Sequence, residues 1–559
     1  MAYFSTNDDR LLFLPLGGSG EIGMNLNLYG HKGKWLMVDC GMSFADDHFP
    51  GVDLVFPDPS FIASEKDQLL GLVVTHGHED HIGAIPYIWD RFECPIYVTA
   101  FTAALVRDKL QEAGLTDRVE LHVVKADEAF KLGSFEITYL ALAHSIAEGH
   151  GLVIKTGKGT LFHTGDWKLD DNPLIGPVCP SAKLKALGEG GVLALVGDST
   201  NVFNLGESGS ELAVRDSLIA LCKEMTGRII ITTFASNVAR LDTVGEVARQ
   251  TGRHLVLLGR SMQRISKAAM ETGYLSNFPP MMNEEDAAHI PRDKVLIVCT
   301  GCQGESRAAL SRIARDEHRH LTLSEGDNVI FSSKIIPGNE LTLGQLFNTL
   351  AANKINVITE KDEFVHVSGH PAQAELAKMY EWTRPKVAIP VHGEARHLLK
   401  HAAFARAQGV KHALAPKNGD VIEITSEGAF VVDEAPVGRL ILDGDVVTEA
   451  GNFAVTERRR ASQQGFVTVS LIIADDGVVS AEPQLAILGL PAKIPELLYD
   501  TLLDAVEGAI ERMSSKKRQD NNSVEETVRV AIRRICRSSI GKNPGVGVLI
   551  TRQDEIEFA

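Results

Sequence analysis

A chain of 559 residues exceeds one ordinary hydrophobic core and predicts two or three domains. Its composition, 44% hydrophobic and 23% charged, is that of a globular protein, and no run of eighteen uncharged apolar residues argues for a membrane span. The formal charge of −17 argues against a protein that coats nucleic acid non-specifically, because that affinity comes from Lys and Arg neutralising phosphates. RNA stays compatible through a local basic channel or through bound metal ions that offset the repulsion.

The N-terminal MAYFSTNDDRLLFLPL has no basic region, apolar stretch and small-residue cleavage site of a signal peptide. The seven cysteines (Cys40, Cys94, Cys179, Cys222, Cys299, Cys302 and Cys536) form an odd, scattered set, so reduced thiols and a cytoplasmic location are expected. In LGGSGEIG, the glycines Gly17, Gly18, Gly20 and Gly23 lack the G-x-G-x-x-G spacing of a dinucleotide site and predict a tight turn. Short apolar, β-branched runs then recur as buried strands: 35–41, 72–81, 160–166, 192–200, 229–237, 295–301, 329–333 and 387–394. Helical patterns at 101–113 and 211–225 are stopped by Gly114 and Gly227. The alternation predicts an α/β fold with functional residues just past strand ends.

The CTGC string, with Cys299 and Cys302, has no second cysteine pair and reads as two small buried residues. The run 451–465, GNFAVTERRRASQQG, breaks the pattern and reads as a linker. A strand at 467–473, a helix at 495–513, a polar stretch at 514–523 and a helix at 524–536 follow, predicting a small C-terminal α+β domain. The basic clusters Arg458–Arg460, Lys516–Arg518 and Arg533, Arg534, Arg537 read as solvated faces.

The strongest chemical signal is THGHEDH, which places His76, His78, Asp80 and His81 within six positions after a strand. Imidazoles and a carboxylate are the ligands that zinc and similar borderline metals prefer. One tight loop can aim the first two histidines at one ion and the Asp-His pair at a second. Further strand ends supply His144, Asp166 and His392. Each alone has a bland reading, a hydrogen-bonded histidine or a helix cap. Together they partition into His76, His78 and His144 for one ion and Asp80, His81 and His392 for the other, with Asp166 bridging. Two ions about 3.5–4 Å apart clamp a phosphoryl group for hydrolysis.

With these residues in view, the chain resembles a known family. HGHEDH, His144, TGD and Asp39 in VDCG resemble the metallo-β-lactamase signatures. Asp198 in GDSTN, His370 in HVSGH and His392 in PVHGE resemble the extra motifs of β-CASP nucleases. GGSGEIGMN, HTGDWKLD, TFASN, GRSM, CTGCQGE, SSKIIPGNE and IPVHGEARHL are similar to the bacterial ribonuclease J family, from about residue 10 to about 445 and more weakly beyond. The resemblance implies a metallo-β-lactamase αββα sandwich split over 1–208 and 366–450. A β-CASP α/β domain would be inserted at 209–365, and the C-terminal α+β domain would span 466–559.

By the same resemblance, Asp39 and Asp198 orient ligand histidines. His366, Val367, Ser368, Gly369 and His370 contact the RNA phosphate, and Ser236 and Asn237 bind the nucleotide or its 5′-phosphate. Asp80 or His370 manages the leaving-group proton. The implied activity is two-metal hydrolysis of RNA, 5′-to-3′ exonuclease plus endonuclease, in mRNA decay and rRNA maturation. Zinc or manganese would be the metal, single-stranded RNA with a 5′-monophosphate the preferred substrate, and a homodimer or homotetramer the assembly. The chain departs from the family in HSIAEGH for HSIPDS, in GDSTN for SDSTN and in Cys302 for serine. Rival readings are a DNA nuclease, a small-molecule hydrolase such as a lactonase or thioesterase, and a non-catalytic binding subunit. The first is separated by matched RNA and DNA substrates. The second lacks the insertion and HVSGH, and the third would show lost ligands.

Overall fold

The computed structural model describes residues 9–553 apart from 337, 475 and 494. The start of the N-terminal stretch (1–8) and Pro337 of SSKIIPGNE lie outside the described residues. The chain separates into two compact units. One comprises the chain up to Ser43 with Val55–Leu440, and the other Phe44–Leu54 with the chain from Ile441 on.

Two sheets make the centre of the first unit. The first has eight strands, in the order Gly428–Glu434, Asp420–Thr425, Leu11–Gly17, Leu26–His31, Lys34–Val38, Leu69–Val73, Ile96–Val98 and Leu121–Val123. The second has seven: Ala129–Leu132, Phe135–Ala141, His150–Thr156, Gly159–His163, Ala194–Asp198, Val387–Val391 and His412–Ala413. Their facing sides share one core, with Phe13, Tyr29 and Val73 meeting Tyr139, Leu152 and Val196. The other face of the second sheet is covered by helices Ser181–Glu189, Gln373–Thr383 and Ala395–Ala407 through Leu184, Leu376, Met379 and Ala405. This is the expected αββα sandwich. Strands so covered are buried on both faces and read as continuous apolar runs, such as VAIPV.

Between Asp198 and Val387 the chain builds a separate sheet of five parallel strands, ordered His254–Leu258, Val295–Cys299, Ile229–Thr232, Asn328–Phe331 and Asn356–Ile358. Its core joins Ile230, Val256, Ile297 and Val329 to Leu310 and Leu343. The chain then returns, and Val387–Val391 pairs in parallel with Ala194–Asp198, Asp198 opposite Val391. That register places His392 beside Asp198.

In the second unit, Phe466–Ile473 lies between Gln484–Leu488 and Gly545–Arg552. Its alternating burial turns one face onto helices Pro495–Glu511 and Asn521–Ile540 through Leu502, Val506, Val528 and Ile532. The segment read as a linker is instead a helix, Phe453–Gln464, capped by Asn452, whose side-chain oxygen accepts from the Val455 N–H at 3.1 Å. The polar stretch carries the short helix Ser515–Arg518, and the last helix begins at Asn521, with Asp520 as its cap. Strands Gln484–Leu488 and Gly545–Arg552 add to the elements read from the sequence. Among the described residues no helix is long and apolar enough to cross a membrane. Cys299 and Cys302 are buried, and burial pushes the Cys302 thiol up to about 12, as fits two packing residues.

Candidate metal centre

Strand Leu69–Val73 delivers THGHEDH to the edge of the sandwich, and His78 stands at the start of the single-turn helix Glu79–Ile82 that carries Asp80 and His81. The loop is braced from VDCG. A Cβ on Gly41 would collide with the Asp80 carbonyl oxygen, so this backbone approach requires glycine. Asp39 and His392 adopt left-handed φ values of 63° and 52°, conformations that cost energy in non-glycine residues and cluster at functional sites.

The expected residues converge. His76 Nε2 and His144 Nε2 lie 3.1 and 3.0 Å from His78 Nδ1, and Asp166 Oδ2 lies 3.9 and 3.7 Å from those two Nε2 atoms. On its other side Asp166 Oδ2 is 3.2 Å from His81 Nε2, and Asp166 Oδ1 is 3.0 Å from His392 Nδ1. Asp80 Oδ2 is 3.1 Å from His392 Nε2 and 3.5 Å from His81 Nε2. Two donor sets result, His76–His78–His144–Asp166 and Asp80–His81–Asp166–His392, each with its atoms within 4.8 Å. A third overlapping group, Asp166–Asp198–His370–His392, meets the same criterion.

The chemistry of these donors fits divalent cations. Ligands about 2.0–2.1 Å from a tetrahedral zinc stand about 3.3 Å apart, the spacing found here. The far nitrogens are already engaged. His144 Nδ1 donates to the Gly369 carbonyl at 2.6 Å, His81 Nδ1 to Asp39 Oδ2 at 2.7 Å and His76 Nδ1 to Thr75 Oγ1 at 3.0 Å. His76 and His144 then turn a bare Nε2 lone pair toward His78 and Asp166, an arrangement that a cation stabilises.

Electrostatics agree. Burial holds His76 and His144 well below the usual histidine range and lowers His78 to about 4, so these rings are neutral. Burial opposes the charges of Asp80 and Asp166, but His81 and His392 outweigh it and hold both carboxyls well below theirs. Burial also opposes charge on His81 and His392, yet neighbouring carboxylates, Asp166 first, raise both. Neutral imidazoles beside an ionised carboxylate, as in the His76–His78–His144 set, are the forms that ligate metal, whereas His81 and His392 would release a proton on taking up a cation.

Asp198 accepts from His370 Nδ1 at 2.8 Å and from the Thr200 N–H at 2.9 Å. Ser368 Oγ accepts from Asn201 Nδ2 at 2.6 Å and from the His370 N–H at 3.2 Å. His366 is kept neutral, at about 3, by burial and by Arg240, Lys334 and Lys168. Three residues expected on the substrate are buried or hold partners within the protein. The Val367 side chain is buried. Asn237 is 3% exposed and caps helix Val238–Thr251, its Oδ1 accepting from the Arg240 N–H and its Nδ2 donating to Glu211. Ser236 Oγ lies 3.1 Å from His78 Nε2.

Sequence reasoning missed several supporting residues. Thr75, inside THGHEDH, ties His76 to Asp39 through its own donation to Asp39 Oδ2 at 2.9 Å. Asn25, from GGSGEIGMN, donates to the Asp80 carbonyl at 3.1 Å. Arg240 pairs with Glu211 at 3.0 Å and donates to the Val365 carbonyl at 3.0 Å, fixing the start of HVSGH. No local pattern announced that pair. The divergent HSIAEGH loop is anchored by Glu148, which accepts from the Phe101 N–H at 2.8 Å and the Tyr274 hydroxyl at 3.1 Å.

Four family models match in succession: the metallo-beta-lactamase superfamily over 24–199, the ribonuclease J beta-CASP domain over 226–350, the Zn-dependent metallo-hydrolase RNA specificity domain over 354–416, and the ribonuclease J C-terminal domain over 453–553. The chain is 41% identical to ribonuclease J of Sinorhizobium meliloti, covering 98% of both chains. It is 37% identical to that of Mycolicibacterium smegmatis over 92% of each, and 32% identical to that of Thermus thermophilus over 96% of this chain and 94% of the relative. A crystal structure of a protein of unknown function from Enterococcus faecalis matches with TM-score 0.52 and 15% identity, covering 74% of this chain and 100% of that one, a likeness of fold alone. The chain belongs to the ribonuclease J family, as an RNA-binding, metal-dependent ribonuclease of the metallo-β-lactamase superfamily.

Proposed function

We propose that this ribonuclease holds two divalent ions per chain, zinc as isolated or manganese when supplied. It degrades single-stranded RNA from a 5′-monophosphate end and also cuts internally, serving mRNA decay and rRNA maturation. The observation that carries this reading is the pair of donor sets sharing Asp166. The ions, when bound, supply an activated water and neutralise charge on the phosphodiester. His76, His78 and His144 hold one, Asp80, His81 and His392 the other, and Asp166 faces both.

Around them the chain's own groups divide the remaining work. Asp39 fixes the His81 ring through its Nδ1 proton. Asp198 holds His370, whose partly exposed ring is the group that hands a proton to the leaving 3′-oxygen. Asp80 is committed to His392 and His81 and does not serve that role. Ser368 Oγ already accepts two hydrogen bonds, so its own proton is free for a phosphate oxygen. The Gly369 carbonyl is spent on His144.

On the same reading the metallo-β-lactamase domain covers 1–208 and 366–450, with the β-CASP insertion at 209–365. The seven unpaired cysteines support a reducing, cytoplasmic setting, and the working assembly is a homodimer or homotetramer. The test is RNA with a label on an internal phosphate and either a 5′-monophosphate or a 5′-triphosphate, with and without chelator. Faster release of mononucleotides from the monophosphate substrate, abolished by chelator, is expected. Equal rates on both ends leave an endonuclease, and cleavage in chelator overturns the metal mechanism.

A further inference from the structure

A ligand imidazole needs a partner on its far nitrogen to fix which nitrogen offers its lone pair. In the His76–His78–His144 set two partners come from the sandwich and the returning chain: Thr75 Oγ1 for His76, at 3.0 Å, and the Gly369 carbonyl for His144, at 2.6 Å. His78 is different. Its Nδ1 faces His76 and His144, and its Nε2 lies 3.1 Å from Oγ of Ser236, a residue of the inserted domain.

Ser236 is delivered on a stiff turn. The Asn237 N–H bonds the Phe234 carbonyl at 3.1 Å and the Val238 N–H bonds the Ser236 carbonyl at 2.9 Å. Asn237 is locked by Arg240 and Glu211, which are themselves a buried pair. A hydroxyl so placed accepts the Nε2 proton and leaves Nδ1 bare toward the ion.

We propose that Ser236 is a positioning residue for His78, through which the inserted domain sets the metal affinity of the His76–His78–His144 site. The assignment rests on the two-ion reading. It explains why a serine expected on the substrate touches a ligand instead. It also carries a consequence: whatever steadies the insertion against the sandwich, bound RNA first, tightens this ion, and by linkage the ion tightens RNA to the same degree.

The test loads the metal-free full chain with cobalt(II), titrates against a chromophoric chelator and records the visible spectrum of each binding step. Ser236→Ala is expected to weaken one of the two ions by about 10–100-fold, the usual effect of losing a ligand's outer partner, and to alter that step's spectrum. The other ion stays within about twofold, and Ser236→Thr, which keeps the hydroxyl, restores the first. Both ions unchanged in Ser236→Ala, with RNA affinity alone reduced, overturns the proposal and returns Ser236 to the substrate. Equal weakening of both ions also overturns it. A wild-type chain that takes up one ion only overturns the two-ion reading together with it.

Discussion

Gly369→Ala tests whether HVSGH shapes the metal centre as well as the RNA contact. A Cβ at that position would lie 2.7 Å from both Cβ and Oγ of Ser145 and 3.0 Å from Cε1 of His144. Ordinary carbon contacts stand at ~3.5–4.0 Å, so the added methyl sits about 1 Å too close to a neighbour that carries little flexibility. The backbone of residue 369 must retreat, and its carbonyl, which takes the His144 Nδ1 proton at 2.6 Å, retreats with it. Overpacking of this kind costs about 1–3 kcal/mol, and losing the ligand's outer partner costs about 10–100-fold in metal affinity. The expected variant is folded, holds one ion weakly, and cleaves RNA at least tenfold more slowly at limiting zinc, with partial recovery at excess zinc. Adding Ser145→Gly removes both 2.7 Å contacts and should restore most of the lost affinity. Elemental analysis after dialysis, chelator competition and single-turnover cleavage of a labelled oligonucleotide give the three readouts. Wild-type ion content and rate in Gly369→Ala, or no rescue in the double variant, would refute the reasoning.

Other perturbations follow from the same geometry. His392→Ala should lower metal content and cut nuclease activity by orders of magnitude, because its ring faces both Asp80 and Asp166. Chelation should abolish cleavage, zinc or manganese should restore it, and re-adding metal at about 100 times its dissociation constant should stabilise the protein by ~2.7 kcal/mol in denaturant titrations. Arg240→Met leaves Glu211 buried and unpaired and should cost about 3–5 kcal/mol, much of it recovered when Glu211→Leu is added. Burial opposes charge on Glu211, but Arg240, Lys168 and Asn237 together outweigh it and hold the carboxyl below its ordinary range. Its contribution is therefore full above the unfolded value of ~4.3 and is lost as pH falls through the depressed one, an acid sensitivity the double variant should lack.

The residues of the two donor sets were legible because metal chemistry constrains residue type within a short span. HGHEDH carries its own spacing, and the strand-end positions of Asp166 and His392 follow from apolar runs that stop just before them. What holds those ligands was less legible, because it depends on long-range packing. Glu211 and Arg240 meet only once two helices pack. The capping role of Asn237 was not legible, because the amide atoms that suit a phosphate oxygen also suit a helix N-terminus, and here the helix takes them. The helix Phe453–Gln464 escaped because it buries little beyond Val455, so its sequence shows no apolar stripe. Strand Gln484–Leu488 escaped because it is short and pairs along one side only.

The placement of the outer partners bears on how the centre forms. Thr75 and Asp39 belong to the first sheet region, Ser236 to the insertion, and Gly369 to the returning chain. His392 arrives only when Val387–Val391 adds to the second sheet beside Ala194–Asp198. No contiguous stretch therefore holds a finished site, although HGHEDH alone supplies four donor side chains. Ligands left without their partners can turn either nitrogen toward an ion, which lowers affinity for the right geometry. On the two-ion reading, high-affinity metal binding is a property of the closed sandwich with its insertion in place. That reading makes metal binding and the docking of these segments one linked equilibrium, in which each stabilises the other.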